Sequence, residues 1–128
     1  MNAISFAWTT PALKARRKKV TRRSWKHTYA ARFHGGHEYW ALDKGYRNGG
    51  KRIGVVRLLK DPYLQRTSKM PDSAYEDEGF AYFEEHPDEL PASAPWKTMS
   101  RKVLDDWREK NERLYVVEYE IVEIFDEP

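Results

Sequence analysis

Pro11-Ala12-Leu13-Lys14-Ala15-Arg16-Arg17-Lys18-Lys19-Val20-Thr21-Arg22-Arg23 is the stretch around which the rest of this 128-residue chain is organised. Thr10 offers an N-cap, and Pro11 follows at the first helical position, where its missing N–H is no loss. The spacing predicts a helix of about two turns over Pro11 to Arg17. Lys19 to Trp25 then leaves that helix as an extended stretch bounded by polar residues. Upstream, Ala3 to Trp8 reads as a short strand.

Downstream, His27 to Phe33 fits a short helix that ends at Gly35-Gly36, where a left-handed residue can close it. A strand is expected around His37 to Leu42, then a loop from Asp43 to Gly50 with three glycines. Arg52 to Leu59 carries Ile53, Val55, Val56, Leu58 and Leu59, apolar on both faces as a central strand requires. Asp72 to Glu85 has the spacing of an amphipathic helix interrupted at Gly79, and a glycine inside a helix costs ~1 kcal/mol against alanine. Pro87, Pro91 and Pro95 force an extended surface loop, after which Trp96 to Lys110 resumes helical spacing. Leu114 to Phe125 is a long strand whose alternation breaks at Ile121-Val122, where a bulge can redirect it. The expectation is one α+β domain over residues 1–128.

Composition narrows the function classes. With no cysteine, disulfides, thiolate zinc sites and a cysteine nucleophile are excluded. A mean hydropathy of -0.89 and 34% charged residues are offset by 14% aromatic residues, which supply the core anchors that disordered chains lack. The net charge of +3 conceals an asymmetry: Met1 to Lys60 holds 15 Lys and Arg against two acids, and the remainder 8 against 18. Either the halves neutralise one another across the fold, or a phosphate-facing basic surface is backed by an acidic one. Ile4 to Trp8 follows the start without a basic leader and long apolar run, and no stretch approaches the ~20 apolar residues of a membrane span. A cytoplasmic protein without a membrane partner is expected. His27, His34, His37 and His86 lack metal-ligand spacing, and no Walker loop, dinucleotide fingerprint or serine elbow is present, so neither a metal nor a cofactor is expected.

The run from Pro11 to Arg23 resembles the signature of the ASCH family, in the PUA-like superfamily. Glu78-Gly79-Phe80 is similar to that family's E-G-F element. The resemblance implies a PUA-like mixed β pseudo-barrel with flanking helices, enclosing a cleft beside the signature helix. It also implies RNA or a modified nucleoside as partner. Some family members cleave RNA, and one compact branch hydrolyses the acetyl amide of N4-acetylcytidine with lysine as proton acceptor, threonine as nucleophile and glutamate as proton donor. Those roles would fall on Lys18, Thr21 and Glu78. The chain departs from the pattern twice: Arg16 stands at the usual glycine before the basic pair, and Lys19 at the usual hydroxyl residue after the lysine.

Each candidate also has a plainer reading. Basic neighbours and burial would disfavour the charged form of Lys18 and make it a base, whereas a solvated lysine would only hold phosphate. Such a lysine contributes little packing, so removing it should leave the melting temperature nearly unchanged. Thr21, three residues on, can share a hydrogen bond with that amine or simply bond local backbone. Glu78 belongs either to a solvated acidic face with Glu76 and Asp77 or to the cleft, as an acid or as an acceptor for a base amine. Arg17, Lys19, Arg22, Arg23 and Lys44 are candidate phosphate contacts, with Trp25, Tyr39 and Tyr46 as stacking platforms. Trp8, Trp96 and Trp107 are assigned to structure. Two functions are carried forward: a binding module for RNA or a modified nucleoside, and a hydrolase acting on an acetylated cytosine amide or a phosphodiester.

Overall fold

The structure, a computed structural model, describes residues 1–126. Six strands and five α-helices follow one another as β1 (Ala3–Ser5), α1 (Thr10–Lys14), β2 (Val20–Arg23), α2 (His27–Ala30), β3 (Glu38–Leu42), β4 (Arg52–Leu58), β5 (Tyr63–Arg66), α3 (Ala74–Asp77), α4 (Phe80–Glu85), α5 (Arg101–Lys110) and β6 (Arg113–Ile124). The strands form one sheet ordered β1-β3-β4-β6-β2, with β5 also paired to β6. Every pairing is antiparallel except β1 with β3. The sheet curls into a half-barrel flanked by helices, in keeping with the mixed β pseudo-barrel that the resemblance implies.

β6 makes the curl. Its first half, Arg113 to Glu118, is flanked by β2 and β5, and its second half pairs with β4. Within this second half the register slips: Val56 pairs with Ile121 while Val55 pairs with Glu123, so Val122 is the extra residue of a bulge. That is where the alternation breaks in sequence, and a bulge bends a strand and increases its twist.

Two apolar clusters hold the halves together. One, inside the sheet, gathers Ile4, Phe6, Leu13, Phe33, Tyr39, Ile53, Val56, Leu58, Val117 and Tyr119. The other joins α1 to α3, α4 and α5 through Ala12, Met70, Tyr75, Phe80, Phe83, Met99, Val103 and Leu104. The central strand is as expected, with Ile53, Val55, Val56 and Leu58 all buried. Leu59 lies past its end and is 57% exposed.

Several boundaries differ from the expectation, each for a local reason. β1 stops at Ser5 because Ala7, at φ 47°, turns the chain into a 3-10 turn over Ala7–Thr9. α1 starts at Thr10 itself, and Thr9 rather than Thr10 precedes it. It ends at Lys14 because Arg16 takes a left-handed conformation at φ 62°. The single helix expected over Asp72 to Glu85 is two, divided by Gly79 at φ 89°. The last helix begins only at Arg101, because Trp96 is drawn onto Trp8 and Phe80 instead. β5 carries no strand pattern of its own and is held by its pairing with β6.

Candidate functional site

The signature stretch folds back on itself at Arg16. Backbone N–H groups of Arg17 and Lys18 both reach the Ala12 carbonyl, at 3.0 and 3.2 Å, which turns Lys18 inward under α1. The Lys19 N–H then donates to the Asp77 carbonyl at 2.7 Å, tying the stretch to the end of α3. Gly79 closes the other side. A Cβ there would lie 2.6 Å from Ala12 Cβ and 3.3 Å from Lys18 Cβ, so only glycine lets the elbow between α3 and α4 lean on the signature.

This contact brings Lys18 and Glu78 together in the interior, with only 1% and 3% of their surface exposed. Lys18 Nζ donates to Glu78 Oε1 and to the Glu78 backbone carbonyl, each at 3.0 Å. Glu78 Oε2 accepts from Arg22 Nη1 at 2.7 Å, and Arg22 Nη2 donates to Gln65 Oε1 at 3.0 Å. Arg23 donates through Nη2 to the Ser5 carbonyl. The Tyr119 hydroxyl donates to the Lys18 carbonyl at 2.8 Å and fixes the backbone from the sheet side. Burial holds Lys18 below the ordinary lysine value, with Arg23 and Arg22 acting in the same direction and the Glu78 carboxylate opposing them. Burial likewise lowers Arg23 and pushes the Tyr119 phenol well up.

Lys18, Thr21, Arg22, Arg23 and Glu78 all line one cleft of about 290 Å³, at the small end of ligand pockets. Its apolar wall is aromatic. Trp8 stacks on Phe80 with ring centres 6.0 Å apart, Trp96 meets both edge-on, and Trp107 lies 5.9 Å from Phe80. Lys110 and Glu112 stand among the lining residues as one pair of opposite charges.

The three residues singled out for chemistry therefore converge, in a different arrangement from the one anticipated. Glu78 is neither solvated nor across the space from the lysine but bonded directly to it. Among the described residues no hydrogen bond joins Lys18 to Thr21, which is 3% exposed and lines the cleft. Lys18 is a packed interior residue and not one that contributes little packing, so its removal is expected to lower the melting temperature.

The candidate binding residues divide. Arg22 and Arg23 are in the cleft. Arg17 faces away, held by Glu76 at 2.7 Å and Glu85 at 2.6 Å. Lys19 and Lys44 are exposed and line other surface hollows. Trp25 stacks on Phe33, 4.6 Å between centres, and Tyr39 is a core residue whose hydroxyl accepts from the His34 N–H, and neither lines the cleft. Tyr46 is exposed on the loop after β3, away from the cleft, and its hydroxyl accepts from Arg52 Nε. The aromatic wall of the cleft is formed instead by the tryptophans assigned to structure. A signal was present: Trp8 lies two residues ahead of α1, and Trp96 directly follows the last proline of the proline-rich loop.

Among the described residues no helix is long and apolar enough to cross a membrane. No protein-family model matches the chain, and no curated protein matches it in sequence. The fold has a solved counterpart: a crystal structure of a DUF984 protein from Enterococcus faecalis V583 superposes with a TM-score of 0.55. The match covers 95% of this chain and 74% of that one, at 16% identity. Fold and site together define a small curled-sheet protein with a buried lysine–glutamate–arginine cluster at the floor of an aromatic cleft. Its resemblance in architecture is to that DUF984 protein.

Proposed function

We propose that this chain is an ASCH-like module of the PUA-like superfamily that holds one base of RNA, or one modified nucleoside, in the cleft. The observation that carries the reading is the juxtaposition, in one cleft, of a polar floor and an aromatic wall. Thr21 and Arg22 bring to the cleft hydrogen-bonding groups of the kind that read a base edge, and the indoles of Trp8 and Trp96 form an aromatic wall of the kind on which bases stack, worth ~1 to 3 kcal/mol per base.

Binding is favoured over hydrolysis by the pairing of Lys18. Lys18 Nζ donates to the carboxylate and the carbonyl of Glu78, and among the described residues no hydrogen bond joins it to the Thr21 hydroxyl it would have to activate. The second reading, hydrolysis of the N4-acetylcytidine amide, rests on the position of Thr21 beside Lys18 and Glu78 in the cleft.

Titration of tryptophan fluorescence with N4-acetylcytidine, the four common ribonucleosides and a short single-stranded RNA tests the proposal. Saturable quenching that is weakened in W96A is expected. Absence of binding by every probe would overturn it. Chromatography of the same N4-acetylcytidine mixture is expected to show no cytidine; cytidine and acetate formed by the parent protein and not by T21V would establish the hydrolase instead.

A further inference from the structure

The cleft floor carries more positive charge than it neutralises. Lys18, Arg22 and Arg23 meet there, close enough that both arginines depress the lysine, and the one carboxylate among them, Glu78, is shared between Lys18 and Arg22. Lys110 and Glu112, the remaining charged groups of the lining, offset each other. Two surplus cations sit in a part of the protein where the Arg22 side chain is only 5% exposed. Burying a charge without a counter-charge is costly, and folds that do so ordinarily hold an anion there.

The donors tell the same story independently. Arg22 and Arg23 each have an Nε that is shut off from solvent and has no hydrogen-bond partner. Such orphaned donors are rare in folded proteins. The guanidinium edge that includes Nε is also the edge that grips phosphate oxygens in pairs. Both arginines lie on β2, whose register against β6 fixes them beside the cleft.

We propose that the cleft holds a phosphate group against Arg22 and Arg23, so that its preferred ligand is a nucleotide unit rather than a neutral nucleoside. This deepens the base-holding reading and rests on it for the nucleoside part. The phosphate comes either from a free mononucleotide or from a phosphodiester of an RNA strand. Glu78 then serves to hold Lys18 and one edge of Arg22, leaving the other donors for the ligand.

Calorimetric titration of the whole protein with the four ribonucleosides, their 5′-monophosphates, the dinucleotide UpU and inorganic phosphate tests this. At least one phosphate-bearing probe is expected to bind about tenfold or more tightly than its nucleoside, with inorganic phosphate competing. Tighter binding of a monophosphate than of UpU identifies a terminal phosphate, and the reverse order a phosphodiester. R23Q should remove the preference for phosphate-bearing probes over their nucleosides, its folding checked by thermal melting. The ladder on the parent protein stands without the variant. Equal affinity for nucleoside and monophosphate would overturn the phosphate site and leave base holding intact. Binding of inorganic phosphate with no discrimination among nucleosides would do the opposite, and no binding of any probe would overturn both.

Discussion

Lys18 Nζ donates to both the side chain and the backbone carbonyl of Glu78, a residue 60 positions away, and one side-chain rotamer thereby ties the signature turn to the elbow between α3 and α4. Replacing Glu78 by Gln keeps the shape and removes the only carboxylate among three cations. E78Q is expected to lose ~3 to 5 kcal/mol, the range seen when one partner of a buried pair is removed. K18A should lose about 2 kcal/mol or more through a cavity and a half-paired Glu78. Urea denaturation checks both; a loss within ~0.5 kcal/mol, the usual range for surface changes, would place the pair outside the folding core.

The depressed Lys18 amine makes stability pH-dependent. Between its folded value and the ordinary 10.5, the unfolded chain keeps a proton that the folded chain has released. The unfolded state then binds more protons, so this group's contribution to stability rises with pH across that window and is level below it. The stability of the parent minus that of K18M is therefore expected to climb as pH approaches 10.5. Melting curves of the two proteins across the alkaline range measure it, and a falling difference would mean that Glu78 outweighs burial.

Gly79→Ala combines a left-handed conformation with a 2.6 Å approach to Ala12 Cβ. The conformation alone costs roughly 1 to 2 kcal/mol, and the contact pushes α4 off the signature. A loss of more than ~2 kcal/mol is expected, together with weaker ligand binding because Glu78 moves with the elbow. Denaturation and fluorescence titration of the same variant give both readouts.

Arg16→Gly should act in the other direction. Arg16 is exposed and left-handed at φ 62°, at the position where the ASCH signature has glycine. Relief of the strained conformation is expected to stabilise the protein by about 0.5 to 1 kcal/mol, since glycine takes positive φ without steric cost. An unchanged or lowered denaturation midpoint would show that the arginine side chain compensates.

Arg17→Ala is expected to cost less than ~1 kcal/mol, as exposed ion pairs do, and to leave RNA affinity and its salt dependence unaltered. Arg17 spends its charge on Glu76 and Glu85. A marked drop in affinity would move the binding surface from the cleft to the outside of α1.

Local chemistry made much of the fold legible. Ile53, Val55, Val56 and Leu58 announce a central strand because they place apolar side chains on both of its faces, and the broken alternation at Ile121-Val122 locates the bulge of β6. β5 was illegible: Tyr63 to Arg66 is four residues long, ends in Gln65 and Arg66, and exists because β6 offers it a partner edge. The same holds for the division of labour among the aromatics. Trp25 and Trp96 are equally half-buried, and what separates them is the neighbour, Phe33 for one and the cleft for the other.

For the site, the sequence by itself determined which groups were available: the basic run, Thr21, Glu78 and the glycine after it, each a matter of residue type and short-range conformation. The tertiary structure alone decided that Lys18 is buried and paired, that Arg17 is neutralised outside, and that Arg22 and Arg23 are left with enclosed donors. Those outcomes depend on long-range contacts, with α3 and β6 laid against the signature from 60 and 101 residues away, and hydrogen bonds act only over the last ~3 Å.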